Sequence, residues 1–329
     1  MSLSDELLSL SSVEMRRRIG TKEISPVELV EASIARIEAL NRAVNAIAAT
    51  DFAHARKLAI SAESAARKGE QLGPLHGLPT GIKDLHETAG LLTTYGSPLY
   101  RSHVPAHDAA MVALVRKAGA IILCKTNVPE FGAGANTRNL VWGATGNPFD
   151  PRLNAGGSSG GSAVALACDM LPVCTGSDTG GSLRIPAAIC GVVGFRPRIF
   201  RRFQASFRNY DLVLSPTVPV SPFPWTQLYL EELEGARLRN YYHWLALTYV
   251  VTLVTNPAIS IPCGIDEHAM PFGLQVTGRF RGDRELLDAA EAMEQAFANI
   301  PGLGRPRPDL DKLARATVDL QSIATHPPL

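Results

Sequence analysis

Two glycine- and serine-rich loops set into apolar sequence constrain this chain more than any other feature. The first is Ala155-Gly156-Gly157-Ser158-Ser159-Gly160-Gly161-Ser162. The second is Gly176-Ser177-Asp178-Thr179-Gly180-Gly181-Ser182. A flexible linker of this composition would lie between polar flanks. Here the first loop runs into Ala163-Val164-Ala165-Leu166-Ala167, which reads as a helix start. The second follows Met170–Thr175, which reads as a strand. Glycines that interrupt a core let backbone amides approach another group closely. Both loops therefore read as parts of a site and not as connectors.

The flanking sequence points to an α/β chain. Ser25-Pro26-Val27-Glu28 is a capping box with proline at the first helical position. Val27, Leu29, Val30, Ile34, Ile37 and Leu40 follow with mostly helical spacing. The Ala-rich residues 45–68 predict a second helix. Leu78–Lys83 predicts a short strand, Asp108–Ala118 a helix and Ala120–Cys124 a buried strand. A late helix is expected over Arg284–Asn299, with Leu286, Leu287, Ala290, Met293 and Phe297 on one side. Helices alternating with short strands indicate the α/β class. No repeat of 20–50 residues is visible.

Composition removes several functions. Lys and Arg number 32 against 31 Asp and Glu, for a net charge of +1. That balance argues against a nucleic-acid partner or an anionic membrane surface. Trp244–Val254 is the most apolar long stretch, and it is about half of what a bilayer span needs. The N-terminus has no basic region followed by an apolar run, so no signal peptide is expected. The five cysteines are odd in number, form no CxxC pair and sit among apolar residues. They read as buried free thiols in a reducing, cytoplasmic compartment. No HExxH or His/Cys cluster suggests a metal, and no cofactor is implied.

The loops then have to be matched to a chemistry. Neither is GxGxxG and neither ends in GK[ST], so dinucleotide and P-loop readings fail. Gly156-x-Ser158-x-Gly160 fits the GxSxG nucleophile elbow, which needs a strand immediately before it. The turn-rich Asn147-Pro148-Phe149-Asp150-Pro151 stands there instead. His243, His268 and His326 have no context that would make one of them a partner base.

The ordered set of motifs resembles the amidase signature family. It consists of Gly77-Leu78-Pro79-Thr80-Gly81-Ile82-Lys83-Asp84, both glycine loops, Leu183-Arg184-Ile185-Pro186-Ala187-Ala188, and Cys190-Gly191-Val192-Val193-Gly194-Phe195-Arg196-Pro197. Tyr210–Thr217, Pro257–Gly264 and Phe272–Arg279 extend the resemblance, which runs from about residue 5 to 300. It implies a single α/β domain over 1–329 with a mixed central β-sheet covered by helices on both sides. An N-terminal helical segment would occupy 1–70, a catalytic core 71–197 and a C-terminal part 210–329.

The resemblance also implies a Ser–Ser–Lys triad. Lys83 would be the base, Ser158 the bridging serine after a cis peptide bond, and Ser182 the nucleophile. Backbone N–H groups of Thr179, Gly180, Gly181 and Ser182 would form the oxyanion hole. Asp178, Arg184 and Ser159 would support them, with Asp178 and Arg184 as a structural pair. Phe131 and Gly132 fall where the family lines its acyl pocket. The chemistry is coherent, because a serine hydroxyl needs an adjacent base. A lysine can serve if burial lowers its pKa from about 10.4. Asp84 is expected to point away from Lys83, since neighbouring strand residues face opposite sides.

The sequence departs from the family at 198–209. Tyr210 follows Pro197 by only 13 residues, across a join carrying Arg198, Arg201, Arg202 and Arg208. A substrate-side segment is expected to be missing there, by natural deletion, engineering or omission of a stretch. The leading expectation is hydrolysis of a small-molecule amide, with no nucleic-acid or membrane partner and a homodimer left open. The ammonia-releasing amidase component of a tRNA-dependent amidotransferase is the alternative, although its motif carries Gln where Ile185 stands. A non-catalytic amidase-like scaffold is the third.

Overall fold

The computed structural model describes residues 3–196, 207, 210–238, 240–254, 256–279 and 281–324. Its helices are α1 Leu3–Leu8, α2 Ser12–Gly20, α3 Pro26–Val44, α4 Phe52–Lys68, α5 Ala110–Lys117, α6 Gly160–Ala167, α7 Arg184–Cys190, α8 Ala246–Val254, α9 Asp283–Ala298 and α10 Leu310–Ala314. The strands are β1 Ile47–Thr50, β2 Pro79–Lys83, β3 Ile121–Thr126, β4 Arg138–Asn139, β5 Gly143–Ala144, β6 Val173–Cys174, β7 Gly194–Arg196, β8 Leu212–Pro216, β9 Glu232–Leu233, β10 Ala236–Arg237, β11 Ala258–Ile265 and β12 Pro271–Gly278.

The α/β class holds, and the main strands divide into two four-stranded sheets. One has the order β1-β3-β2-β6. In it β2 runs parallel to both β3 and β6, while β1 is antiparallel to β3. The other is antiparallel throughout, in the order β7-β11-β12-β8. Helices α3, α4 and α6 pack against strands of the first sheet, and α7 and α9 against the second. Helix α7 also packs on α6, which joins the two halves. Every residue of β2 and β3 is buried, as parallel strands covered on both faces require.

Local signals place several elements well. Ser25 and Glu28 form the expected capping box, with Pro26 opening α3. Other expectations need correction. Residues 45–68 are not one helix. Asn45 closes α3 in a left-handed conformation, Ile47–Thr50 pairs with β3, and Asp51 then caps α4. Pairing with a buried strand outweighs the helix preference of the alanines there. The strand expected over Met170–Thr175 shrinks to Val173–Cys174, since Pro172 has no N–H for a ladder and Asp169 has φ of 51°. Of the five free cysteines, Cys124, Cys168 and Cys190 are buried, whereas Cys174 and Cys263 are half-buried.

The join at 198–209 lies outside the described residues except for Phe207. Among the described residues, no helix is long and apolar enough to cross a membrane.

Candidate active site

Lys83 ends β2 at the carboxyl edge of the parallel strands, level with Thr126 of β3. Open α/β sheets present their ligand sites at that edge. The Lys83 N–H donates to Thr175 Oγ1 at 2.9 Å, which ties the strand end to the segment after β6. Its side chain is fully buried. Nζ donates to Ser158 Oγ at 2.8 Å, Ser159 Oγ at 2.7 Å and Ser177 Oγ at 2.8 Å. An ammonium has three N–H donors, and three hydroxyls accept them. Burial nevertheless pushes the Lys83 pKa down to about 7, against the Asp178 charge, which holds it up.

The first loop delivers two of those hydroxyls. The Gly157–Ser158 peptide bond is cis. A Cβ on Gly157 would lie 2.9 Å from backbone atoms of Gly134, Ala135 and Asn136, so only glycine fits that approach. Ser158 and Ser159 lie just before α6. Neither uses its side chain to cap that helix, because both hydroxyls are turned to Lys83.

Ser182 comes alongside through its backbone. Its carbonyl accepts the Ser159 N–H at 2.9 Å. No hydrogen bond joins Ser182 Oγ to another described residue. The structure thus gathers Lys83, Ser158 and Ser159 into one bonded cluster and sets Ser182 beside it.

The second loop is held from within. The Asp178 carboxylate and the Arg184 guanidinium are both buried, with Arg184 Nε 2.9 Å from Asp178 Oδ2. Arg184 also donates to Gln275 Oε1, the Thr248 carbonyl and Thr252 Oγ1. Burial by itself would raise the Asp178 pKa. The Arg184 bonds and charge, the Gly181 N–H and Arg196 outweigh it, so the net direction is down.

Of the four N–H groups expected to serve an oxyanion, that of Gly181 donates to Asp178 Oδ1 at 2.8 Å. Gly181 has a φ of 113°, and a Cβ there would meet Thr248 Oγ1 at 2.3 Å. The N–H groups of Thr179, Gly180 and Ser182 have no acceptor among the described residues.

Asp84 points away from Lys83, as strand alternation predicts. Its carboxylate accepts the Thr94 N–H and hydroxyl and lies 3.9 Å from the buried Lys125 Nζ. Burial pushes Asp84 up to about 6 despite Lys125 and the Thr94 bonds, and burial lowers Lys125 to about 8. Phe131 is exposed, whereas a Cβ on Gly132 would lie 3.5 Å from Ser158 Oγ. Trp142 is buried and donates to Thr94 Oγ1, which makes it a core residue.

Sequence reasoning missed Ser177, Thr175 and Lys125. Ser177 stands inside the second glycine loop, but nothing in its spacing says that it reaches Lys83. No group of three or more His, Cys, Asp or Glu that could hold a metal is present among the described residues.

A neutralisable buried lysine ringed by serines, beside a glycine loop with free N–H groups, defines a serine–lysine site on an α/β scaffold. The chain belongs to the Amidase family, whose model matches residues 28–201 and 196–287. These two matches meet at the join. A glutamyl-tRNA(Gln) amidotransferase subunit from Streptomyces coelicolor is 40% identical over 192 residues, covering 58% of this chain and 39% of that protein. Its counterpart from Carboxydothermus hydrogenoformans is 42% identical over 192 residues, covering 58% and 40%. The matched stretch spans about two fifths of these curated relatives. A bacterial aryl acylamidase of the amidase signature family superposes with a TM-score of 0.81 at 20% identity, over 87% of this chain and 96% of that one. The amidotransferase subunit from Thermotoga maritima superposes with a TM-score of 0.68 at 21% identity, over 93% and 97%. These superpositions establish the amidase signature fold.

Proposed function

We propose that the chain hydrolyses a carboxamide to a carboxylate and ammonia or an amine, through an acyl-enzyme on Ser182. One observation carries this reading: a fully buried Lys83, with its pKa lowered to about 7 by burial, stands 2.8 Å from Ser158 Oγ. A lysine so placed is neutral in a large share of molecules near pH 7, and its lone pair can take the Ser158 proton.

Ser158 takes the Ser182 proton in turn, and Ser182 Oγ bonds to the amide carbon. The carbonyl oxygen becomes an oxyanion, with the Thr179, Gly180 and Ser182 N–H groups available to it. The nitrogen then leaves with the proton returned from Lys83 through Ser158. Water hydrolyses the ester by the same route. Losing one oxyanion donor typically costs about 10²–10³ in rate. Gly181, Asp178 and Arg184 act by fixing the loop, and Ser159 and Ser177 by holding the lysine. The single-domain division belongs to this reading, as does a substrate-side segment absent at 198–209.

A second reading is the ammonia-releasing component of a tRNA-dependent amidotransferase. The identity to the two amidotransferase proteins favours it, and Ile185 in place of Gln speaks against it. A panel of small aliphatic and aromatic amides with glutamine, read by ammonia or amine release, separates the two. Hydrolysis of simple amides exceeding that of glutamine is expected. Glutamine as the sole substrate turned over would favour the second reading. Ser182→Ala should abolish turnover, and a fluorophosphonate probe should label Ser182. Retained turnover, or a label on Ser158, would overturn the assignment.

A further inference from the structure

Four aromatic rings lie together at the surface next to the site. Tyr95, His103 and Phe131 are near-parallel, with Tyr95 at 22° to His103 and 23° to Phe131 and centroids 6.1 and 6.5 Å apart. Tyr100 stands edge-on to all three, at centroid distances of 5.0, 5.6 and 6.1 Å. These are favourable aromatic geometries. Two of the rings are exposed, Phe131 at 53% and Tyr100 at 39%, and Tyr95 and His103 are half-buried. Large rings assembled at a surface and left partly exposed present ring faces and edges to a ligand.

The array is also anchored at backbone level. Tyr95 and Phe131 both have left-handed backbones, with φ of 54° and 51°. Bulky residues rarely adopt that conformation, and such outliers cluster at ligand sites. The Phe131 N–H donates to the Tyr95 carbonyl at 2.7 Å, which locks the two turns together. Gly132 follows, and a Cβ built on it would lie 2.5 Å from Leu85 Cδ1 and 3.5 Å from Ser158 Oγ. The rings therefore begin one residue from the serine cluster and continue to solvent. The carboxylates beside them are engaged, Glu87 by the Tyr95 hydroxyl and Glu130 by the Ser97 hydroxyl. Their negative charge disfavours an anionic ligand.

We propose that Tyr95, Tyr100, His103 and Phe131 form a subsite for an uncharged aromatic substituent of the amide substrate. This rests on the amide-hydrolase reading and names the class of amide that it prefers. Continuity with Ser158 selects this occupant over a second copy of the chain.

The test compares benzamide and acetanilide with propionamide on the full chain. At least one aryl amide should exceed propionamide about tenfold in kcat/KM, and Tyr100→Ala and Phe131→Ala should each cut that ratio at least about fivefold. Saturation-transfer NMR with benzamide and acetanilide reads the subsite without turnover. Saturation of the probe rings by wild type but not by the two variants supports it. Equal saturation by all three proteins, or an aryl-to-alkyl ratio near one, overturns it. Concentration-dependent self-association that both variants abolish would also overturn it. Failure to hydrolyse any amide, with ring saturation still lost in the variants, would sink the hydrolase reading and leave the aromatic subsite standing.

Discussion

Replacing Lys83 by Met removes the proposed base while keeping a side chain of similar length. The structure sets the size of the effect. With the Lys83 pKa near 7, about half the molecules carry a neutral amine at pH 7, against roughly one in 2,500 for an ordinary lysine. General-base catalysis contributes about 10²–10⁴ in rate, so Lys83→Met should lose that much in kcat/KM. The wild-type pH profile of kcat/KM should rise with unit slope and level off above a midpoint near pH 7. Stability should show the same proton. The folded-state pKa is below the unfolded value of 10.5, so the unfolded chain binds more protons between them, and stability rises with pH across that window. Lys83→Met lacks this proton. The stability difference, wild type minus variant, should grow by about 1.4 kcal/mol per pH unit between pH 7.5 and 9.5. Initial rates on a chromogenic amide and urea unfolding at several pH values read the two effects. A rate profile flat from pH 6 to 9, or a stability difference independent of pH, would refute a depressed Lys83 pKa.

Two further substitutions test the groups around the lysine and the loop. Ser177→Ala removes one of three hydroxyls that accept from the charged lysine; the acid limb should move down by about one pH unit. An upward move in the same rate measurement would mean that Ser177 does not stabilise the ammonium. Arg184→Met strips the buried Asp178 of its partner, so denaturant unfolding should show a loss of about 3–5 kcal/mol. A loss below about 1 kcal/mol would show that the pair is not what fixes the loop.

How much was legible follows from the range of each signal. The α3 capping box was readable because Ser25, Pro26 and Glu28 interact within one turn. The segment Ile47–Thr50 was not, because its partner is β3, more than 70 residues away in sequence. Lys83, Ser158 and Ser182 stood out through the resemblance of the ordered motifs to the amidase signature family, since each occupies a matching motif position. Ser177 did not, because its bond to Lys83 spans 94 residues. The four oxyanion donors were implied by the family resemblance, and only the fold shows that the Gly181 N–H is bonded to Asp178.

Residue types and short spacings were enough for the α/β class and the two loops, because the covalent chain carries both, and the ordered motifs added a family resemblance that implies lysine–serine chemistry. Tertiary structure decided that Lys83 is buried and easily neutralised, since desolvation depends on what packs around it and not on its neighbours in sequence. It decided which N–H groups stay free, because each donor is claimed by whatever acceptor the fold brings near. It also decided the aromatic array, whose rings come from residues 95–103 and from Phe131, with the Phe131 N–H bonded to the Tyr95 carbonyl.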